Sequence, residues 1–242
     1  MADTANASAY VPQPQPEAEE VYRRWLSHLD DEFTRHQAAE RRAEIVRDQL
    51  CQLYLGKPHG TKLDFSLTTE LPQNVLQLSL DPANVTLEAE HYADQDRGRF
   101  ARSKPLLWFW QMFDRSPLGL NYWLGIRFRA MLGRHLFAHI GKGVRIGHGV
   151  EITYGYNLVV EDRALIRQCV LLDDRSGIRI GESAMIGAYT RIYSHSHAED
   201  DSAQLILQPT AIGARSRIGA HTTIAAGTQM ADRTIVGAHN RN

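Results

Sequence analysis

The fold is decided by residues 212–224, which form the string IGARSRIGAHTTI. Isoleucine stands at the first, seventh and thirteenth positions of this string. The same six-residue spacing of aliphatic residues fills the C-terminal part of the chain, at Ile140, Ile146, Ile152, Leu158, Ile166, Leu172, Ile180, Ile186, Ile192, Ile212, Ile218, Ile224, Met230 and Val236. Six residues bury too little apolar surface to fold alone, so successive repeats must stack on a shared core. The pattern therefore predicts an all-β solenoid.

The repeats have the form Ile-Gly-x-x-small-x, which predicts an inward aliphatic side chain and a glycine near a tight corner. Three repeats are expected to make one triangular coil of short parallel strands. A helix does not explain the spacing, because about 600° of rotation per repeat would not keep one face inward. The spacing slips by two residues near Leu158 to Val160 and near Ile178 to Ile180, where we expect bulged corners.

One long interruption separates Ile192 from Ile212. It contains Ser194-His195-Ser196-His197, followed by acidic residues. Function concentrates on loops that a regular scaffold holds in place. The interruption is therefore the first candidate for a functional site.

The chain before the repeats divides into three regions. Residues 1–16 end in alternating proline and glutamine and are predicted to be disordered. Residues 17–104 are predicted to form a helical arm up to about residue 55, followed by irregular chain with a few strand-like pieces. Residues 105–139 are predicted to form aromatic-rich helices, broken near Pro117 and Gly119, and residues 140–242 hold the repeats.

The aromatic-rich helices admit two interpretations. Trp108, Phe109 and Trp110 begin a stretch in which aromatic residues and arginines alternate, a composition found in interfacial membrane anchors. The favoured alternative is an aromatic face that packs on the first coil and covers its exposed edge. Membrane contact is therefore not expected.

Charge and cysteine content limit the classes of partner. The net charge is −1, so no basic field favours a nucleic acid. Two cysteines give no disulfide framework, and the longest apolar run, around residues 105–113, is too short to span a bilayer. These features predict a soluble, cytoplasmic protein.

The repeats resemble those of the hexapeptide-repeat acyltransferases, the family that includes sugar and antibiotic O-acetyltransferases. The resemblance rests on the Ile-Gly repeats between residues 140 and 240 and does not extend to the N-terminal hundred residues. It implies a left-handed parallel β-helix over about residues 140–242, preceded by an α-helical N-terminal region. It also implies a homotrimer with active sites between subunits and acetyl-CoA as the acyl donor.

The resemblance also implies a histidine as general base. In the family, a histidine in the loop that leaves the solenoid removes the proton from the acceptor hydroxyl. An imidazole has an ordinary pKa of about 6.5 and can accept that proton at neutral pH. Counting from Ile192, the resemblance selects His197 as the base, and His195 would support it or contact the substrate. Direct attack on acetyl-CoA is expected, since no serine or cysteine is marked as a nucleophile by an adjacent base.

Further residues match positions that bind the two substrates in the family. Asp173 and Asp174 are expected to point outward at a corner and bind hydroxyls of a sugar-like acceptor, and Gln168 stands near a position where relatives carry asparagine. For the coenzyme, the resemblance implies Arg217, Gly219, Ala220 and Ala238. The two alanines would let the pantetheine arm lie against the backbone. Arg217 replaces a frequent tryptophan and would reach a phosphate.

Two other functions remain open from the sequence. A non-catalytic scaffold is favoured by Arg217 and by a sequence that ends within a repeat. A zinc enzyme of the γ-carbonic-anhydrase type would need three histidine ligands. Its candidates are His148, His195, His197 and His221, which lack the paired spacing of that class. We therefore expect no metal.

Overall fold

The computed structural model describes residues 12–60, 71–198, 200–201 and 204–240. Most of the segment predicted to be disordered, residues 1–11, lies outside the described residues. A helical region occupies the chain up to Leu136, and short strands follow from His139 onward, parallel except for the antiparallel pair β10 and β11.

The helical region contains six α-helices among the described residues. They are α1 (Pro16–Arg35), α2 (Ala39–Leu55), α3 (Leu71–Ser79), α4 (Arg97–Arg115), α5 (Pro117–Leu120) and α6 (Tyr122–Leu136). Two 3-10 turns, Pro82–Asn84 and Glu88–His91, lie between α3 and α4.

The structure differs from the sequence-based expectation between residues 71 and 115. No strand occurs in the described chain from residue 71 to residue 96, where strand-like pieces were expected. Helix α4 begins at Arg97 rather than near Pro105, because the Asp96 side chain accepts a hydrogen bond from the Arg99 N–H at 2.9 Å and caps the first turn. Pro105 lies inside this helix.

The strands are two or three residues long. They are β1 (His139–Ile140), β2 (Arg145–Ile146), β3 (Glu151–Ile152), β4 (Leu158–Val160), β5 (Leu165–Ile166), β6 (Leu171–Asp173), β7 (Ile178–Ile180), β8 (Met185–Ile186), β9 (Arg191–Tyr193), β10 (His195–His197), β11 (Leu205–Leu207), β12 (Thr210–Ile212), β13 (Arg217–Ile218), β14 (Thr223–Ile224) and β15 (Ile235–Val236).

Three parallel sheets arise because the chain visits them in turn. Sheet I has the order β1-β4-β7-β12, sheet II the order β15-β13-β8-β5-β2, and sheet III the order β14-β9-β6-β3. Within sheet II, Ile166 pairs with both Ile146 and Ile186, so equivalent residues of neighbouring coils are stacked directly. Three consecutive strands therefore form one coil, as the repeat predicts.

The aliphatic residues of the repeat form the interior of the coil. From Ile146 to Val236 they are buried, except Met230, which is partly buried like Ile140 at the other end. Thr190, Ser216 and Thr222 at the fifth repeat position are also buried, and the two threonines donate hydrogen bonds to the carbonyls of Gly219 and Gly237 in the next coil. The predicted inward aliphatic positions are confirmed.

The helical region packs on the first coil. Trp110 of α4 is buried and donates its indole N–H to the Val150 carbonyl at 2.8 Å. Arg129 of α6 is also buried, ion-paired with Asp114 and bonded to the Ile146 carbonyl. In the described part of the chain, no helix is long and apolar enough to cross a membrane.

Candidate active site

The long interruption of the repeat folds as an antiparallel hairpin on the edge of the coil. Strand β10 pairs with β11, and His195 lies opposite Leu207. Ser194 joins the hairpin to the coil: its hydroxyl donates to the Asp173 carbonyl at 2.6 Å and accepts the Ser176 N–H at 3.0 Å. Ser194 is fully buried and fixes the point at which the hairpin leaves the coil.

His195 lies directly against Asp173. Its Nδ1 is 3.0 Å from the Asp173 Oδ2, and the two side chains are only 15% and 11% exposed. The structure therefore gives His195 the carboxylate partner that usually fixes the tautomer of a histidine base. Nδ1–H held by a carboxylate leaves Nε2 free to accept a proton.

His197 is placed differently although it is two residues away. It is exposed and pairs with Leu205 on the hairpin. Its ring centroid is 5.6 Å from that of His195, at an angle of 87°. Among the described residues, no carboxylate lies within ion-pair distance of His197. The geometry thus favours His195 as the base, although the family resemblance had selected His197.

The contact between His195 and Asp173 has the distance of a hydrogen bond without its alignment. Neither the Nδ1 of His195 nor the Oδ1 of Asp173 has a well-aligned partner in the described part of the chain, and both atoms are buried. Catalytic hydrogen bonds are often loose before substrate binds.

Burial and neighbouring charges act on the Asp173 carboxyl in opposite directions. Burial raises its pKa above the ordinary value, while His195 and Arg175 oppose this shift. Arg175 is itself neutralised by the buried Asp94, since its guanidinium donates to both carboxylate oxygens. Asp173 therefore lies at the end of a short row of alternating charges.

The N-terminal region contributes Tyr92 and Asp94 to this site, which the sequence analysis missed. The Arg175 guanidinium lies 4.2 Å from the centre of the Tyr92 ring, and the Tyr154 hydroxyl donates to Asp94 at 3.1 Å. No repeat or motif marks Asp94 in the sequence. It reaches Arg175 only because the chain before α4 crosses the corner that follows β6.

Asp174 is completely buried, contrary to the expectation that both carboxylates point outward. Its carboxylate accepts the N–H groups of Tyr154 at 2.7 Å and Asn157 at 3.2 Å, in the corner of the preceding coil. Burial raises its pKa to about 6, against these hydrogen bonds. Asp174 therefore holds two corners together and does not face an acceptor.

Gln168 and the residues expected to bind the coenzyme lie at another corner. Gln168 is exposed where sheet II passes into sheet III, at the opposite end of β6 from Asp173. Ala220 and Ala238 occupy the same corner in later coils, since Ile218 pairs with Val236. Arg217 is exposed on β13, and a Cβ at Gly219 would meet the Ala238 N at 2.3 Å. Within a single chain, Gln168 therefore does not lie near His195.

The histidines considered as zinc ligands are also dispersed. His148 Nε2 lies 2.9 Å from the Asp114 carbonyl, whereas His221 stacks between Tyr189 and His239 at 4.8 and 4.9 Å. Within the described residues, no three His, Cys, Asp or Glu side chains are grouped so that they could hold a metal ion.

The known proteins that this chain resembles are named as acetyltransferases. No family model matches the chain. It is 33% identical over 148 residues to the "Putative colanic acid biosynthesis acetyltransferase WcaF" of Escherichia coli K12, an alignment covering 60% of this chain and 78% of that protein. The WcaF protein of Shigella flexneri matches equally.

Two solved structures share the fold. A maltose O-acetyltransferase from Clostridium difficile 630 superposes with a TM-score of 0.53 and 23% identity, covering 62% of this chain and 80% of that one. A hexapeptide-repeat-containing acetyltransferase from Vibrio cholerae O1 biovar eltor, in complex with acetyl coenzyme A, gives 0.50 and 22%, covering 67% and 87%.

Proposed function

The chain belongs to the hexapeptide-repeat family of acetyl-CoA-dependent acyltransferases, and on that basis we propose that it transfers acetyl from acetyl-CoA to a hydroxyl of a sugar-like acceptor. The observation that carries the proposal is the 3.0 Å approach of His195 Nδ1 to the buried Asp173 carboxylate. We take the three-sheet coil to be the left-handed parallel β-helix of the family. The name of the WcaF relatives supports acetyl transfer, and the name of the maltose O-acetyltransferase supports a sugar-like acceptor.

His195 is the general base in this proposal. Its Nε2 takes the proton of the acceptor hydroxyl as the oxygen attacks the thioester carbonyl. The tetrahedral intermediate collapses with cleavage of the C–S bond, and the imidazolium returns the proton to the departing thiolate. The products are the acetyl ester and free coenzyme A. Asp173 stabilises the imidazolium between the two proton transfers.

Arg217, Gly219, Ala220 and Ala238 are the proposed coenzyme contacts. The corner carrying Ala220 and Ala238 bears only methyl side chains at that position of two successive coils, so an extended pantetheine chain can approach the backbone. The exposed Arg217 guanidinium can pair with a phosphate. Gln168 lies further along the same corner and is proposed to contact the acceptor from that side.

A homotrimer would unite these separate parts. In one chain the His195–Asp173 pair and the alanine corner lie at opposite ends of the strands of sheet III. A threefold arrangement of coils can place the alanine corner of one subunit opposite the histidine of the next. We therefore propose a trimer with its active sites between subunits.

Product analysis with labelled acetyl-CoA tests the function. The protein is incubated with the donor and a panel of sugars and amines, and ester or amide products are identified by mass spectrometry. We expect O-acetylated sugars, formed by the wild type and not by His195→Ala. Coenzyme-dependent acetyl transfer that survives in His195→Ala would refute the assignment of the base.

A further inference from the structure

A groove of about 700 Å³ lies between the helical region and sheet III. We call it the interlayer groove and define it by Tyr92, Trp108, Gln111, Glu151 and Leu171, which are among its lining residues. Its volume is within the range of pockets that enclose small organic ligands, about 300–1,000 Å³. No residue proposed above as base or coenzyme contact lines it.

Neither His195 nor Asp173 lines the groove, but strand β6 connects the groove with this pair. Leu171 and Asp173 lie two residues apart on β6, so their side chains share one face of sheet III. Thr153 also lines the groove, and its N–H bonds to the Leu172 carbonyl between them. Tyr92, at the same end, lies under the Arg175 guanidinium. A molecule bound at Asp173 can therefore extend into the groove.

Buried polar atoms without a partner occur both in the groove and at the His195–Asp173 pair. In the described part of the chain, three buried side-chain nitrogen or oxygen atoms lack a hydrogen bond: Trp108 Nε1, Asp173 Oδ1 and His195 Nδ1. Nearly all buried polar atoms in folded proteins are paired, and leaving one unpaired costs about 1–3 kcal/mol. Trp108 lines the groove, and the other two atoms belong to the pair at its end. A ligand hydroxyl can accept from Trp108 Nε1 and a hydroxyl of the reacting unit can donate to Asp173 Oδ1, while His195 Nδ1 keeps Asp173 Oδ2 as its partner.

The walls match a sugar ring better than a purely apolar group. Trp108 and Tyr92 supply aromatic surface, which packs against the C–H face of a pyranose. Glu88, Gln111 and Glu151 supply acceptors, and Gln111 also donors, for the hydroxyls at its edge. Glu88 already accepts from the Tyr92 hydroxyl and Gln111 from the Arg115 guanidinium, and each keeps acceptor capacity for a sugar hydroxyl.

We propose that the interlayer groove binds a second glycosyl unit, so that the acceptor is a disaccharide or longer glycoside whose reacting unit lies at His195 and whose neighbouring unit packs on Trp108. The inference rests on the proposed function for the reacting end. The groove is formed by the helical region and the first coils, and it includes neither the proposed base nor the coenzyme corner.

Binding and turnover are measured separately to test it. A glycan array of mono- to tetrasaccharides of glucose, galactose, mannose and fucose identifies binders without a donor, and calorimetry gives Kd for the best oligosaccharide and for the methyl glycoside of its reacting unit. Acetyl transfer to both is then followed with acetyl-CoA. The variants are Trp108→Phe and Trp108→Ala, with Tyr122→Ala as the aromatic control, since Tyr122 is 52% exposed on α6 and does not line the groove.

We expect the oligosaccharide to bind at least about tenfold more tightly than the methyl glycoside, and Trp108→Ala to remove that preference while kcat/KM for the methyl glycoside stays unchanged. Tyr122→Ala should keep the preference. Equal binding of the two sugars, or a preference that survives Trp108→Ala, overturns the groove proposal even if acetyl transfer occurs. Trp108-dependent oligosaccharide binding without acetyl transfer instead overturns the proposed function. Absence of both binding and transfer overturns the two together.

Discussion

Nδ1 of His195 lies 3.0 Å from Oδ2 of Asp173, although the two residues are separated by one coil and belong to different sheets. The contact exists because Ser194, the first residue after β9, bonds to the Asp173 carbonyl and sets where the hairpin leaves the coil. The Ser194 N–H and hydroxyl, which both donate to the Asp173 carbonyl, thus place the candidate base beside its carboxylate.

The two histidines should differ in their effect on turnover. We expect His195→Ala to lower kcat/KM for acetyl transfer about 10²- to 10⁴-fold, the usual contribution of general base catalysis. His197→Ala, matched in chemistry and two residues away, should stay within about threefold, because its ring is exposed and no described carboxylate orients it. The opposite ranking would restore His197 as the base.

Asp173→Asn should impair catalysis more than binding. An amide can present its NH₂ to Nδ1 and favour the tautomer whose Nε2 is already protonated, so we expect kcat to fall by about tenfold or more with KM little changed. Steady-state kinetics measure both constants, and circular dichroism checks the fold. A change in KM alone would show that Asp173 binds the acceptor without acting on His195.

Asp174→Asn should destabilise the fold. One oxygen becomes an NH₂ group facing the backbone N–H of Tyr154 or Asn157, so we expect a loss of about 1–3 kcal/mol in the free energy of unfolding. Urea titration measures it. A loss of activity with full stability would instead support the acceptor-binding role expected from the sequence.

The same residue predicts a pH dependence of stability. Its folded pKa, about 6, lies above its ordinary value of 3.8, so the folded state binds this proton more tightly than the unfolded state. The contribution of this group is therefore fully present below about pH 4 and is lost as the pH rises through 6. Unfolding curves from pH 4 to 7 should show this loss in the wild type and a smaller slope in Asp174→Asn.

The buried ion pair of Asp94 and Arg175 should matter far more than an exposed one. Both side chains are 8% exposed, and Asp94→Ala leaves a buried guanidinium unpaired, so we expect a loss of about 3–5 kcal/mol. The control is Glu182→Ala, which breaks the exposed pair with Arg163 and should cost less than about 1 kcal/mol. Similar losses from the two variants would contradict the importance of burial.

Glycines at the same repeat position should respond differently to a methyl group. A Cβ at Gly187 would lie 2.5 Å from the Ala220 N of the next coil, whereas at Gly237 nothing lies within 4 Å. We expect Gly187→Ala to lower stability by about 2–3 kcal/mol, because backbone must move, and Gly237→Ala to change it little. Thermal unfolding of the two variants compares them directly. Equal stability would mean that the coils do not stack as closely as described.

The helical region shows where sequence patterns stop being informative. The spacing of apolar residues predicted helices around Trp25 and Trp110, and both lie in helices. The same pattern could not predict that α4, capped by Asp96, begins at Arg97, eight residues before the expected boundary, because a cap depends on one local hydrogen bond. Nor could it predict the Asp94–Arg175 pair, whose members are 81 residues apart.

By itself, the sequence determined the coil. A period of six residues fixes which side chains face inward, and stacking then requires each coil to repeat the path of the last, as the pairing of Ile166 with Ile146 and Ile186 shows. The tertiary structure decided which histidine contacts a carboxylate and which acidic residue is buried against the backbone of a neighbouring corner. His195 and His197 have the same chemistry, and so do Asp173 and Asp174. Only burial and the direction of each side chain, set by contacts between distant segments, distinguish them.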